Sequence, residues 1–123
     1  MTAVARLRRR PEFVAVAKSG RRSAAPGLIL QAARRPEGSN LPPAPRIGFT
    51  ASRKVGIAVA RNRARRRLKA AAAAVLPQAG EPGFDYVVIA RSETLTRPFA
   101  DLLADLETAL KRVHAKRRMT GAA

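Results

Sequence analysis

Between Ser52 and Lys69 the chain reads SRKVGIAVARNRARRRLK, which holds eight cationic side chains (Arg53, Lys54, Arg61, Arg63, Arg65, Arg66, Arg67 and Lys69) and no carboxylate. The nearest acids are Glu37 and Glu81. Arginine outnumbers lysine here. Its planar fork makes bidentate contacts to phosphate and stacks on bases, whereas lysine acts as a point charge. Such an array needs an anionic partner, and its arginine content favours nucleic acid over a merely solvated face.

Hydrolytic chemistry carried by the chain itself would need clustered carboxylates for metals, or a base and a nucleophile within reach. The acids are scattered instead. Asp101 and Asp105 form the closest pair on one helix face, and their place early in an amphipathic segment suits the positive end of a helix without any catalytic role. The chain has no cysteine and a single histidine, His114, so disulfides, thiolate catalysis and a cysteine or histidine metal cluster are excluded. His114 is expected to be an exposed bystander in a basic helix end.

Positioning these residues falls to few elements. With Ala60 to Val75 helical, Ala64, Leu68, Ala71, Ala72 and Val75 share an apolar arc, while Asn62, Arg63, Arg66 and Lys69 lie opposite. Arg61 and Arg65 fall at the margin, where long stems pack and charged heads reach outward. Gly56 permits a tight approach before the helix, which is expected to end at Leu76-Pro77. Upstream, the basic Arg6 to Arg10 leads into a short helix. Pro11 and Glu12 suit its first turn, Phe13, Val16 and Ala17 share a face, and Gly20 stops it. Strands are read at Gly27 to Ala33 and Arg46 to Ser52, flanking RPEGSNLPPAP, a loop at 35–45 expected to be mobile and too rich in Pro and Gly to pack. Phe84 to Arg91 is the most apolar strand and is expected to be central. A last helix begins near Thr96 to Pro98 and carries Phe99, Leu102, Leu103, Leu106, Leu110 and Val113 toward the sheet, with fraying expected from Met119.

The 123 residues suit one domain spanning 1–123, and 25 Lys and Arg against 8 Asp and Glu give a net charge of +17. Compacting such a chain costs self-repulsion unless a polyanion neutralises it. The N-terminus lacks the apolar core of a signal peptide, and no run approaches a membrane span, so a soluble cytoplasmic protein with no membrane association is expected.

The stretch Ser52-Arg53-Lys54-Val55-Gly56-Ile57-Ala58-Val59-Ala60-Arg61-Asn62-Arg63-Ala64-Arg65-Arg66 resembles the signature of the protein subunit of bacterial ribonuclease P: a basic pair, then G-x-A-V-x-R-N-R-x-[KR]-R. The flanks agree in order and spacing, from the L-R-R-R-x-E-F segment that ends at Lys18-Ser19-Gly20 to the later F-D-Y-V-V-I-A-R strand and its amphipathic helix. The resemblance implies an α+β two-layer sandwich in which helices pack on a small mixed sheet. Its order is α-β-β-α-β-α, like that of the second domain of ribosomal protein S5, with a left-handed βαβ crossover.

The resemblance further implies an assisting, non-catalytic subunit of an endoribonuclease whose catalytic RNA, with Mg²⁺ held by RNA, removes the 5′ leader of precursor tRNA. No further protein partner is required on this reading. The basic pair Arg53 and Lys54, with Arg61, Asn62, Arg63, Arg65, Arg66, Arg67 and Lys69, would bind the catalytic RNA. Arg8, Arg9, Arg10, Phe13, Ala17 and Gln31 would line a cleft for the single-stranded leader. Ala17 and Gln31 stand where the family often has aromatics, and Ile57 where it usually has a polar residue. A ribosomal or assembly protein that binds structured RNA without a part in catalysis is the alternative. Duplex DNA binding is weaker, since no helix-turn-helix spacing frames the arginine segment.

Overall fold

A computed structural model describes residues 4–18, 21–36 and 38–122, with side chains of the last helix described as far as Ala115. The stop assigned to Gly20 lies outside these residues. In chain order the elements are β1 (Ala5–Arg6), α1 (Arg10–Lys18), β2 (Arg21–Ala24), β3 (Leu28–Arg34), β4 (Arg46–Thr50), α2 (Ala58–Ala79), β5 (Phe84–Ala90) and α3 (Phe99–Ala122). Single 3₁₀ turns at Arg53–Val55 and Ser92–Leu95 precede α2 and α3.

The strands form one five-stranded sheet in the order β1-β4-β5-β3-β2. As its unbroken apolar run predicts, β5 is central. It runs antiparallel to β3, with Leu30 opposite Val88, and parallel to β4, with Ile47 opposite Tyr86. Helix α2 is therefore the crossover between parallel neighbours. The mixed sheet and its packed helices match the expected fold class. Two strands were not foreseen: β1 has only two residues, and β2 (RRSA) is a basic edge strand without apolar alternation. Charged side chains on edge strands discourage pairing with other chains, and they also hide the strand from a hydrophobicity pattern.

Alternation along β5 distributes its side chains to two faces. Phe84, Tyr86, Val88 and Ala90 join the main core, together with Leu28 and Leu30 of β3, Leu68 and Leu76 of α2, and Leu106, Leu110 and Val113 of α3. Fully burying a side chain the size of Leu68 contributes roughly 1.5–3 kcal/mol. Val87 turns to the opposite face, where Leu7 and Val16 bury α1 against the sheet, with Phe13, Ala33 and Ile89 packed around them.

Helix α2 does not stop at Leu76-Pro77 as expected, but continues through Pro77 to Ala79. Proline withholds the hydrogen bond to the carbonyl four residues back, here Ala73, and its ring crowds that carbonyl, both near the helix end at an exposed position. The amide of Gly80 then closes the helix on the carbonyl of Leu76 at 2.8 Å. Helix α3 starts at Phe99 and stays helical to Ala122, past the Met119 at which fraying is expected.

The second half of the Pro-rich loop is tied to the body of the protein by hydrogen bonds, although Leu41, Pro42 and Pro43 stay exposed. The Arg35 guanidinium donates to the carbonyls of Pro42 (2.8 Å) and Ala44 (3.0 Å), and Gly83 N–H donates to Pro43 O at 2.7 Å. Pro45 is buried. Proline lacks a donor but keeps its carbonyl, so a Pro-rich strip can be held entirely by accepting.

Candidate nucleic-acid interface

Helix α2 separates its residues as the 3.6-residue period requires. Ala64, Leu68, Ala71, Ala72 and Val75 are buried against the sheet and α3, whereas Asn62, Arg63, Arg66 and Lys69 are exposed. Arg61 and Arg65 are half-buried at the margin. Arg65 donates to Asn62 Oδ1 at 2.6 Å, so one motif residue orients another. Ser52 accepts from Lys54 N–H at 3.3 Å, and Gly56 follows at φ 146°, a conformation that side chains other than glycine rarely adopt. This turn holds exposed Arg53 and Lys54 beside the first turn of α2.

Arg67 is a different case from its neighbours. Its guanidinium donates to the carbonyl of Leu95 at 3.0 Å and also bonds the carbonyl of Arg97. It therefore ties α2 to the segment that enters α3, and its fork is taken up inside the protein rather than presented outward.

On the other side of the sheet, α1 and the strands beneath it enclose a groove of about 590 Å³. Arg8, Arg10, Phe13, Ala17 and Gln31 line it, along with Val14, Thr50, Val87 and Ile89. Five of the six residues nominated for a cleft thus meet in one cavity, and Arg9 is not among its lining residues. Phe13 is half-buried, joining the small core under α1 while facing the groove. Its depth depends on Gly48 of β4, where an added Cβ would come within 2.4–2.5 Å of the Phe13 ring. Glycine here serves close approach rather than backbone freedom.

The groove rests on an ion-pair network that sequence reasoning missed. Glu12 stands at the third position of α1 and reaches back to the amides of Arg9 (2.9 Å) and Arg8 (3.0 Å), which is the carboxylate half of a capping box. Its other oxygen accepts from Arg46 Nη1 at 2.6 Å. Arg46 in turn grips Asp85 with Nε and Nη2 at 2.9 and 2.7 Å, and Arg35 Nη1 reaches the same carboxylate at 2.9 Å. The chain Arg35, Asp85, Arg46, Glu12 therefore connects the Pro-rich loop to the backbone that presents Arg8 and Arg10. One signal was available: an aspartate inside the most apolar strand of a basic protein must be paired, since a buried lone charge is very costly.

The backbone amides of Arg9 and Arg8, followed by the Arg46 guanidinium, hold the Glu12 carboxyl below its ordinary range. A carboxylate stabilised in the folded state contributes stability that is fully present above its unfolded pKa and lost as pH falls through the lowered one. Thermal unfolding followed from neutral to acid pH should therefore show a shallower acid decline in Glu12→Gln than in the parent. An identical acid limb in the two proteins would remove Glu12 from the balance.

Two expectations are corrected outside the groove. Asp105 is 7% exposed and is not a solvent-facing dipole charge. It accepts from Gly27 N–H at 3.0 Å and from Arg97 Nε at 2.7 Å, tying α3 to the start of β3. His114 is 6% exposed and is no bystander. Its Nε2 lies 2.8 Å from the Tyr86 hydroxyl, its Nδ1 lies 3.0 Å from Glu81, and its ring meets Phe84 edge-on. The apolar spacing of α3 placed Leu110 and Val113 inward, and His114, next to Val113, turns in with them.

Among the described residues no group of three or more His, Asp and Glu is placed to hold a metal ion, and no helix is long and apolar enough to cross a membrane. A model of the ribonuclease P family matches residues 1–114. The chain is 54% identical over 110 residues to the ribonuclease P protein component of Paramagnetospirillum magneticum, covering 89% of this chain and 83% of that one. It is 51% identical over 110 residues to the component from Ruegeria pomeroyi, covering 89% and 86%. The solved ribonuclease P protein from Thermotoga maritima is similar with a TM-score of 0.70 and 26% identity, over 87% of this chain and 96% of that one. With nearly its whole length matched by the family model and about half its residues shared with such relatives, the chain belongs to the bacterial ribonuclease P protein component family.

Proposed function

We propose that this chain binds the catalytic RNA of ribonuclease P through Arg53, Lys54 and the exposed face of α2, and holds the 5′ leader of precursor tRNA in the groove under α1. The observation that carries this reading is the meeting of Arg8, Arg10, Phe13, Ala17 and Gln31 in one groove on the sheet face opposite α2. Two RNA segments can then be held at once, one on each side of the sheet. The groove offers cationic side chains at its mouth for phosphates, and one aromatic among aliphatic residues for bases.

The chain's task in this reading is electrostatic and positional. The cationic surface offsets repulsion between two polyanions, and the groove supplies contacts that mature tRNA, lacking a leader, does not make. Mg²⁺ would be held by the RNA, which would supply the activated water for phosphodiester cleavage. Work in a bacterial cytoplasm as a subunit of that ribonucleoprotein follows from the same reading.

The test is reconstitution. Purified chain added to the catalytic RNA and precursor tRNA at low Mg²⁺ should stimulate 5′ cleavage, whereas a ribosome-assembly protein would give none. Phe13→Leu should weaken binding of precursor relative to mature tRNA by roughly 5- to 100-fold, the range expected for one lost base stack. The effect should emerge only with leaders long enough to reach α1, and thermal stability should fall little. Lost stability with unchanged discrimination would return Phe13 to a purely structural role.

A further inference from the structure

At the outer flank of α2 the sheet edge carries an aromatic that the leader groove does not use. Phe49 of β4 is half-buried against the main core, and the Arg6 guanidinium lies over its ring, 4.9 Å from the centroid. Arg6 pairs with Ile47 in the parallel β1–β4 ladder. Neighbours in register share a face, so Arg6 projects on the side of the sheet that α2 covers. There Arg6, Phe49, Lys69, Ala72 and Ala73 line a recess of about 180 Å³.

The recess has three chemical features together. Its floor is an aromatic ring capped by a guanidinium, a surface on which an unpaired base stacks. One wall is formed by Ala72 and Ala73, whose small side chains leave room beside the helix. Its rim carries Lys69, which is exposed and also lies on the basic face of α2. The volume is below the roughly 300 Å³ at which pockets for drug-sized ligands begin, so it suits one flat ring rather than a larger molecule. An acidic peptide could pair with Arg6 and Lys69 but would leave the aromatic floor unused.

We propose that this recess holds one unpaired nucleotide of the RNA bound by α2, its base stacked on Arg6 where that residue lies over Phe49, and its phosphate against Lys69. The proposal rests on the reading of α2 as an RNA-binding face, and it extends that face onto β1 and β4. It also gives Arg6 and Phe49 a part that the arginine motif does not contain.

The experiment measures affinity of the full chain for the catalytic RNA across salt concentrations, together with chemical reactivity of the unpaired bases in the complex. Phe49→Leu and Arg6→Lys, which keep apolar bulk and charge respectively, should each weaken binding by roughly 5- to 100-fold with an unchanged salt slope. Lys69→Gln should instead flatten the slope by about 0.7 to 0.9. One unpaired base, protected by the parent protein, should become reactive in the Phe49 and Arg6 variants, with melting temperatures showing that each is folded. Full affinity and full protection in folded Phe49→Leu and Arg6→Lys would overturn the proposal. If Arg61→Ala with Arg66→Ala still loses binding in that case, the recess fails and the α2 reading stands. If that variant also binds normally, both fall. Weaker binding with no change at any base would likewise reject a stacked nucleotide.

Discussion

Replacing Arg61 and Arg66 together by alanine is expected to weaken binding of the catalytic RNA by about 2 to 4 kcal/mol, or roughly 30- to 700-fold, while the protein stays folded. Arg66 is exposed and Arg61 half-buried, and neither guanidinium takes part in a hydrogen bond or ion pair among the described residues. Truncation therefore removes charge and donors from the surface without opening the core. Each lost phosphate contact should also lower the slope of log affinity against log salt by about 0.7 to 0.9. Titrations at several salt concentrations, with circular dichroism as the folding control, would decide the matter. Unchanged affinity with an unchanged slope would remove α2 as the RNA-binding face. Arg67→Ala should behave differently: its guanidinium holds the carbonyls of Leu95 and Arg97, so its loss should register mainly in stability.

Asp85→Ala is expected to cost about 3 to 5 kcal/mol of stability, the range seen when one partner of a buried ion pair is removed. The magnitude follows from what remains. The Arg35 side chain is 6% exposed and that of Arg46 16%, so both would be left desolvated and without their shared carboxylate in a chain of net charge +17. Arg46 would retain Glu12, while Arg35 would retain only carbonyl partners. Chemical denaturation should show a lower midpoint with little change in the denaturant slope. A loss below 1 kcal/mol would show that the network rearranges. Because the same chain of ion pairs ends on the backbone of Arg8 and Arg9, surviving folded protein should also discriminate less well between precursor and mature tRNA.

The sequence by itself determined the features that depend on spacing along a single element. The period of α2 assigned Ala64, Leu68 and Val75 to the core and Asn62, Arg63 and Arg66 to the surface, and the structure agrees at each of these positions. The apolar run Tyr86-Val87-Val88-Ile89-Ala90 marked the central strand for the same reason, since only a strand covered on both faces dispenses with polar alternation. The family signature and the order of the three helices and of β3, β4 and β5 were likewise readable along the chain, whereas β1 and β2 were not.

Tertiary structure decided whatever depends on which distant residues meet. Arg67 and Arg66 are adjacent arginines in one motif, yet Arg66 faces solvent while Arg67 is drawn inward by two carbonyls about 30 positions away. His114 and Asp105 looked like ordinary helix-surface polar residues until β5 and the start of β3 supplied their partners. The groove exists because Gly48, far along the chain from Phe13, leaves space for its ring, and because Glu12, Arg46 and Asp85 join α1 to two strands. Helical and strand periods are local properties, fixed by backbone geometry over a few residues. Burial of a charge or of an aromatic edge is set by packing between elements, and no period along the chain encodes it.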